Sequence, residues 1–120
     1  MRTFIITLAL FFAVISMIVI NSIYVRDITS TITDYASDEE FNKAPEDALE
    51  RLESFWNKNK LFLEFSVSYR ETDRMSEYII GLRECINNKN TDEAKRIRTL
   101  IADCAADISR LERLSIENLL

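Results

Sequence analysis

Histidine is absent from this 120-residue chain, and glycine and proline occur once each, as Gly81 and Pro45. The first absence removes the commonest general base, the commonest zinc ligand and the usual partner of a catalytic serine or cysteine. It also excludes the inward-facing Glu-x-x-His pairs that hold di-iron centres in helical bundles. With a single glycine, tight β-turns and phosphate-cradling loops are hard to build, because both depend on residues at positive φ. An all-α chain is expected, with no enzymatic activity and no cofactor. Basic residues are in the minority: 15 Lys and Arg stand against 20 Asp and Glu, a net charge of −5. No Lys/Arg cluster interleaved with aromatics offsets that balance, so nucleic acid is excluded as a partner. The acidic groups Asp38-Glu39-Glu40 and Asp92-Glu93 read as solvated helix starts, since a calcium loop needs alternating oxygen ligands around a central glycine.

What the chain does have is an uncharged run from Thr3 to Val25, strongest between Phe4 and Ile20. As a helix this run is roughly 35 Å long, against a hydrocarbon core of about 30 Å, so a slightly tilted span fits a bilayer. Asn21, Ser22 and Tyr24 mark its exit toward the headgroups. A cleaved secretory signal needs small residues at an A-x-A-like site, and Val19-Ile20-Asn21-Ser22-Ile23-Tyr24 offers none. Residues 1–25 are therefore expected to be an uncleaved transmembrane signal anchor in the cell membrane. Arg2 precedes the span, whereas Arg26 is followed at once by Asp27, a charge bias that favours a cytoplasmic N-terminus and an extracytoplasmic C-terminal domain. Ala9 and Ala13 form a small-xxx-small pair that lets two helices approach closely, which leaves a homo-oligomer open.

The remainder, Arg26 to Leu120, suffices for one small domain and not two. Val25, Ile28, Ile32 and Tyr35 follow at spacings of three and four, so the anchor is expected to continue as an amphipathic stalk weakened by the β-branched Thr29, Thr31 and Thr33. Residues 26–44 are read as stalk and linker, with a loop from Ser37 to Ala44. Pro45, Glu46 and Asp47 suit the first turn of a helix, where proline loses no bond and carboxylates face the positive dipole end. That helix, ending near Ser66, carries two stripes at seven-residue spacing: Ala48, Phe55, Phe62 and Tyr69, and beside it Leu49, Trp56 and Leu63. A third helix opens at Glu71-Thr72-Asp73 with Met75, Tyr78, Ile79, Leu82 and Ile86 inward. Asn87-Asn88-Lys89-Asn90 is the clearest turn. The last helix opens at Thr91 and points Ile97, Ile101, Cys104, Ile108 and Leu111 inward. Three or four antiparallel helices packed over residues 45–120 are the simplest arrangement.

Two features invite a functional reading. Cys85 and Cys104 are expected as core thiols and not as a disulfide. If the chain reverses between residues 87 and 91, the position facing Cys85 is near 94, and Cys104 lies about 15 Å farther along. The aromatics from Phe55 to Tyr69 exceed what one helix face needs. Phe55, Phe62, Phe65 and Tyr69 are the candidate partner-binding residues, while Trp56, Leu49 and Leu63 are assigned to the core.

The order of features resembles a family of short, membrane-anchored bacterial proteins, domain of unknown function 4363. The residues that carry the resemblance are the N-terminal span, Trp56-Asn57-Lys58-Asn59-Lys60 followed by Leu61 and Phe65, the helix start Glu71-Thr72-Asp73, and the ending Leu114-Ser115-Ile116-Glu117-Asn118-Leu119-Leu120. Relatives often carry a histidine where this chain reads Ser68-Tyr69-Arg70-Glu71, so no role of that histidine transfers. The resemblance implies an anchored helical domain without assigned activity, typical of endospore-forming, Gram-positive bacteria. It further implies a membrane complex with a second small family, domain of unknown function 421. The expectation drawn from all of this is a protein-interaction or accessory subunit of a membrane complex, the alternative being an extracytoplasmic sensor or small-ligand-binding bundle.

Overall fold

In a computed structural model, which describes residues 1–119, the apolar run and the residues after it form one unbroken helix, α1 (Arg2–Tyr35), 34 residues long. Leu120, the last residue of the expected helical domain and of the carboxyl-terminal family segment, lies outside the described residues. Four more helices follow: α2 (Asp38–Lys43), α3 (Pro45–Ser66), α4 (Tyr69–Asn87) and α5 (Thr91–Leu119). Every regular element among the described residues is thus helical, as the scarcity of glycine and proline requires.

α1 has two halves with different surroundings. Its apolar N-terminal part is long and apolar enough to cross a membrane and is unburied, whereas Val25, Ile28, Thr29 and Ile32 are buried against α3 and α5. The threonines do not break the helix. Their hydroxyls donate to the preceding turn, Thr29 to the Arg26 carbonyl at 3.0 Å, Thr31 to that of Asp27 at 2.8 Å and Thr33 to that of Thr29 at 3.0 Å. Burial of Val25, Ile28 and Ile32, at about 1.5–3 kcal/mol for each side chain, outweighs their weak propensity. The expected division at residue 45 is therefore displaced. Residues 26–44 are no spacer, because the segment contributes Ile28, Ile32, Ala36 and Phe41 to the same core as the later helices.

The expected loop from Ser37 to Ala44 is also corrected, to the short helix α2. Its three acidic residues occupy its first turn, and Phe41 is buried. Six residues do not hold a helix in water by themselves. Here Arg98 of α5 does so from a distance: its Nη1 donates to Asp38 Oδ1 at 2.7 Å and to the Ala36 carbonyl at 3.3 Å, and its guanidinium lies 4.9 Å from the centre of the Phe41 ring.

The rest of the core follows the stripes, except that Leu111, expected inward on the last helix, is 40% exposed. Leu49, Leu52, Trp56 and Leu63 of α3, Met75, Ile79 and Leu82 of α4, and Ile97, Ile101, Cys104, Ala105 and Ile108 of α5 are buried together. Trp56 Nε1 donates to Ser76 Oγ at 2.9 Å, tying α3 to α4. Between α4 and α5 the turn ends in a Schellman motif: Lys89 adopts φ 56°, Lys89 N–H donates to the Ile86 carbonyl and Asn90 N–H to the Cys85 carbonyl. Asn90 then caps α5, its Oδ1 accepting the Glu93 N–H at 3.3 Å. The molecule is a rod of 68 × 22 × 20 Å, because the apolar part of α1 extends from one end of the body.

Candidate functional site

The place where the bare part of α1 meets the helical body holds three polar side chains far apart in sequence. Asn21 Nδ2 donates to Glu112 Oε1 at 3.1 Å, and Ser66 Oγ donates to Asn21 Oδ1 at 2.8 Å. Glu112 is buried, so these bonds fix the height of α3 and α5 along α1. One turn away, the Tyr24 and Phe62 rings meet edge to face at 5.9 Å. A cleft of about 500 Å³ lies alongside, lined by Met17, Asn21, Tyr24, Phe62, Glu112 and Ile116 among others. The end of α5 therefore overhangs the bare stretch of α1 by more than a turn.

Around this junction the body is unusually apolar on the outside. Phe65, next to Ser66, is 85% exposed, Tyr69 at the start of α4 is 69% exposed, and Leu61 one turn above is 65% exposed. Phe62 lies at their edge, half covered by Tyr24. Three of the four sequence-nominated aromatics are thus brought together here. The fourth is not: Phe55 sits about 15 Å up α3, half-buried with its ring 5.5 Å from that of Tyr35. The stripe Ala48, Phe55, Phe62 and Tyr69 leaves the core progressively for two reasons. An α-helix drifts about 20° per heptad, and Tyr69 belongs to α4 and not to α3. Trp56, Leu49 and Leu63, at the centre of the buried face, remain in the core as expected.

Both cysteines are free. Gly81 stands opposite Ile97, a virtual Cβ falling 3.5 Å from Ile97 Cδ1, which sets the pairing of α4 and α5 and leaves Cys104 beside Glu71, whose carbonyl accepts the thiol at 3.7 Å. Burial pushes the Cys104 thiol up to about 11, and desolvation, with Glu93 and Glu84 nearby, also raises that of Cys85. Neither is a ready nucleophile at neutral pH.

A second concavity, about 510 Å³, lies at the opposite end of the body between α2, the α4–α5 turn and α5. Phe41, Pro45 and Ile86 line it together with Arg98, whose buried Nε has no hydrogen-bond partner among the described residues. Sequence reasoning missed Arg98, and it named Leu61 only for the family resemblance and not as a surface residue. An isolated arginine on an amphipathic helix and a leucine beside aromatics carry no signal of their own. Asn21 was visible only as the exit of the span.

The family model described as domain of unknown function (DUF4363) matches residues 12–119. The chain belongs to that family. The match takes in half of the bare stretch of α1 as well as the whole body, so the family's unit includes the junction between them. No curated protein and no solved structure matches the chain.

Proposed function

We propose that this DUF4363 protein is a non-enzymatic, single-span protein of the cell membrane whose extracytoplasmic domain is an interaction or accessory subunit of a membrane complex. In this reading the bare part of α1 crosses the bilayer, with Arg2 on the cytoplasmic side, and the rest of α1 joins α3, α4 and α5 in an antiparallel bundle. The observation that supports it most is the continuity of α1. A receptor or enzyme on a flexible tether samples all orientations, whereas a domain whose core contains the continuation of its own span is held at one height and one angle above the membrane. Such a rigid mount suits a subunit that must meet a membrane neighbour in fixed register. The exposed flank of the span, Phe4 to Ile20, is uncharged and apolar apart from Thr7 and Ser16, and gives that neighbour a surface to pack against. Family resemblance names a protein of the domain of unknown function 421 family as the neighbour to test first. Affinity purification of the full chain from its own membranes in mild detergent, after crosslinking in cells, should recover one membrane protein at comparable stoichiometry. Recovery of the chain alone, or only as its own oligomer, contradicts the reading.

The concavity beside Arg98 favours a second reading, a sensor or small-ligand-binding bundle, since its buried guanidinium retains an unused donor next to an apolar wall. A panel of small carboxylates and phosphates tests it by thermal shift of the full-length protein. A ligand present at 100 times its dissociation constant adds about 2.7 kcal/mol. No shift with any member of the panel removes this reading.

A further inference from the structure

We propose that the span-proximal end of the domain is seated in the lipid interface itself, with Leu61, Phe65, Tyr69 and Leu114 entering the boundary between headgroups and acyl chains of the bilayer that α1 crosses. The proposal rests on α1 being a membrane span, as argued above, and adds where the body stands relative to that membrane.

The height is set by geometry. The hydrogen bonds from Asn21 to Glu112 and from Ser66 to Asn21 place the end of α3 and Glu112 of α5 level with Asn21, and the last turns of α5 reach below it. From Thr3 to Asn21 the helix rises about 27 Å, close to the thickness of a hydrocarbon core of about 30 Å. With that segment spanning the bilayer, Asn21 falls at the interface, and so do the residues bonded to it. Phe65 adjoins Ser66, and Tyr69 follows three residues after it. On the other side, Ser115 and Ile116 of α5 line a cleft with Met17 and Ile20, about a turn below Asn21.

Most of the side chains at that height agree with the position, the exposed Glu117 and Asn118 at the end of α5 being the polar exceptions. Aromatic rings with a polar edge concentrate at membrane interfaces, and Tyr24 and Tyr69 are both exposed there. Phe65 and Leu61 are the most exposed large apolar side chains of α3. Left in water they would form an apolar patch without a purpose. Arg70 and Arg113, exposed beside Tyr69 and Glu112, stand where their long stems can lie along the apolar boundary while the guanidinium groups reach lipid phosphates. Buried Glu112 and the partly buried Asn21 and Ser66 satisfy one another behind this collar, so α3 and α5 can approach the membrane without presenting those groups to hydrocarbon. The assignment gives to lipid two of the four side chains that the sequence alone offers to a protein partner, Phe65 and Tyr69, and leaves the partner the flank of the span and the sides of the domain.

The test uses the full-length protein in vesicles of lipids brominated near the headgroup or deep in the chain, with two tryptophan variants read against the native protein, whose Trp56 is buried. Leu10→Trp places a reporter in the middle of the span and Phe65→Trp places one in the collar. The expected result is that the emission added by Leu10→Trp is quenched by deep bromine, and that added by Phe65→Trp by shallow bromine, with a blue shift and with protection from aqueous iodide. If Leu10→Trp is quenched but Phe65→Trp is open to iodide and insensitive to bromine, the span stands and the seating is overturned, leaving Phe65 to a protein partner or to water. If neither responds to bromine, the span reading and the seating fall together.

Discussion

Leu63 and Phe65 are two residues apart on α3 and show what burial decides at the scale of a side chain. Leu63 is fully buried and Phe65 is largely exposed. Leu63→Ala should cost about 2–5 kcal/mol in denaturant unfolding of the full chain in micelles, the range for an uncollapsed core cavity. Phe65→Ala should stay within about 0.5 kcal/mol of wild type. A comparable loss for both would place Phe65 in a core and undo the surface assignment. The raised Cys104 thiol gives a pH dependence of definite sign. An unfolded cysteine ionises near the ordinary value of 9.0, the folded one near 11, so the folded state retains its proton over that window. The stabilisation is present below about pH 9 and is lost as pH rises through the folded value. Stability should fall across pH 9 to 11, and Cys104→Ala should flatten that fall relative to wild type. An identical slope in both proteins would show that the thiol contributes nothing.

Among the elements, the long helices were legible in the sequence because each supplies its own periodic stripe. Pro45 with two acidic residues, and the Asn87–Asn90 turn, marked starts and stops by local chemistry alone. The continuation of α1 was legible in the spacing of Val25, Ile28, Ile32 and Tyr35, but its place in the core and the existence of α2 were not, because both depend on residues far along the chain: Ile28 and Ile32 are buried against α3 and α5, and α2 is held by Arg98. Local propensity argued for a stalk weakened at the threonines, and tertiary burial prevailed. Arg98→Ala should free α2, so that trypsin cleaves at Lys43 well before the sites within α3 to α5. Unchanged resistance at Lys43 would mean that Phe41 burial alone fixes the segment. The α4–α5 turn offers a change in the other direction. Lys89 holds a left-handed conformation that glycine adopts without steric cost, so Lys89→Gly should stabilise the protein by about 0.5–1 kcal/mol in equilibrium unfolding. Destabilisation would show that the lysine side chain makes a contact worth more than the backbone strain.

For the whole molecule, the account turns on a junction that no local pattern reveals. Asn21, Ser66 and Glu112 lie on three helices, 45 and 91 residues from one another by their hydrogen bonds, and each alone reads as an ordinary polar residue. The aromatic surplus was visible in the sequence, but its division was not: Phe55 closes the body against Tyr35, Phe62 leans on Tyr24, and Phe65 and Tyr69 stand outside. The central claim is that α1 is at once the span and a core helix of the domain, which turns an anchored domain into a rigidly mounted one. Hydrogen exchange of the full-length protein in lipid nanodiscs tests this most directly. Amides from Ile28 to Tyr35 should exchange as slowly as those from Ile97 to Ile108 in the centre of α5, because both segments open only when the body unfolds. Rapid exchange confined to residues 26–36, with α3 to α5 still protected, would make that segment a flexible stalk and contradict the account.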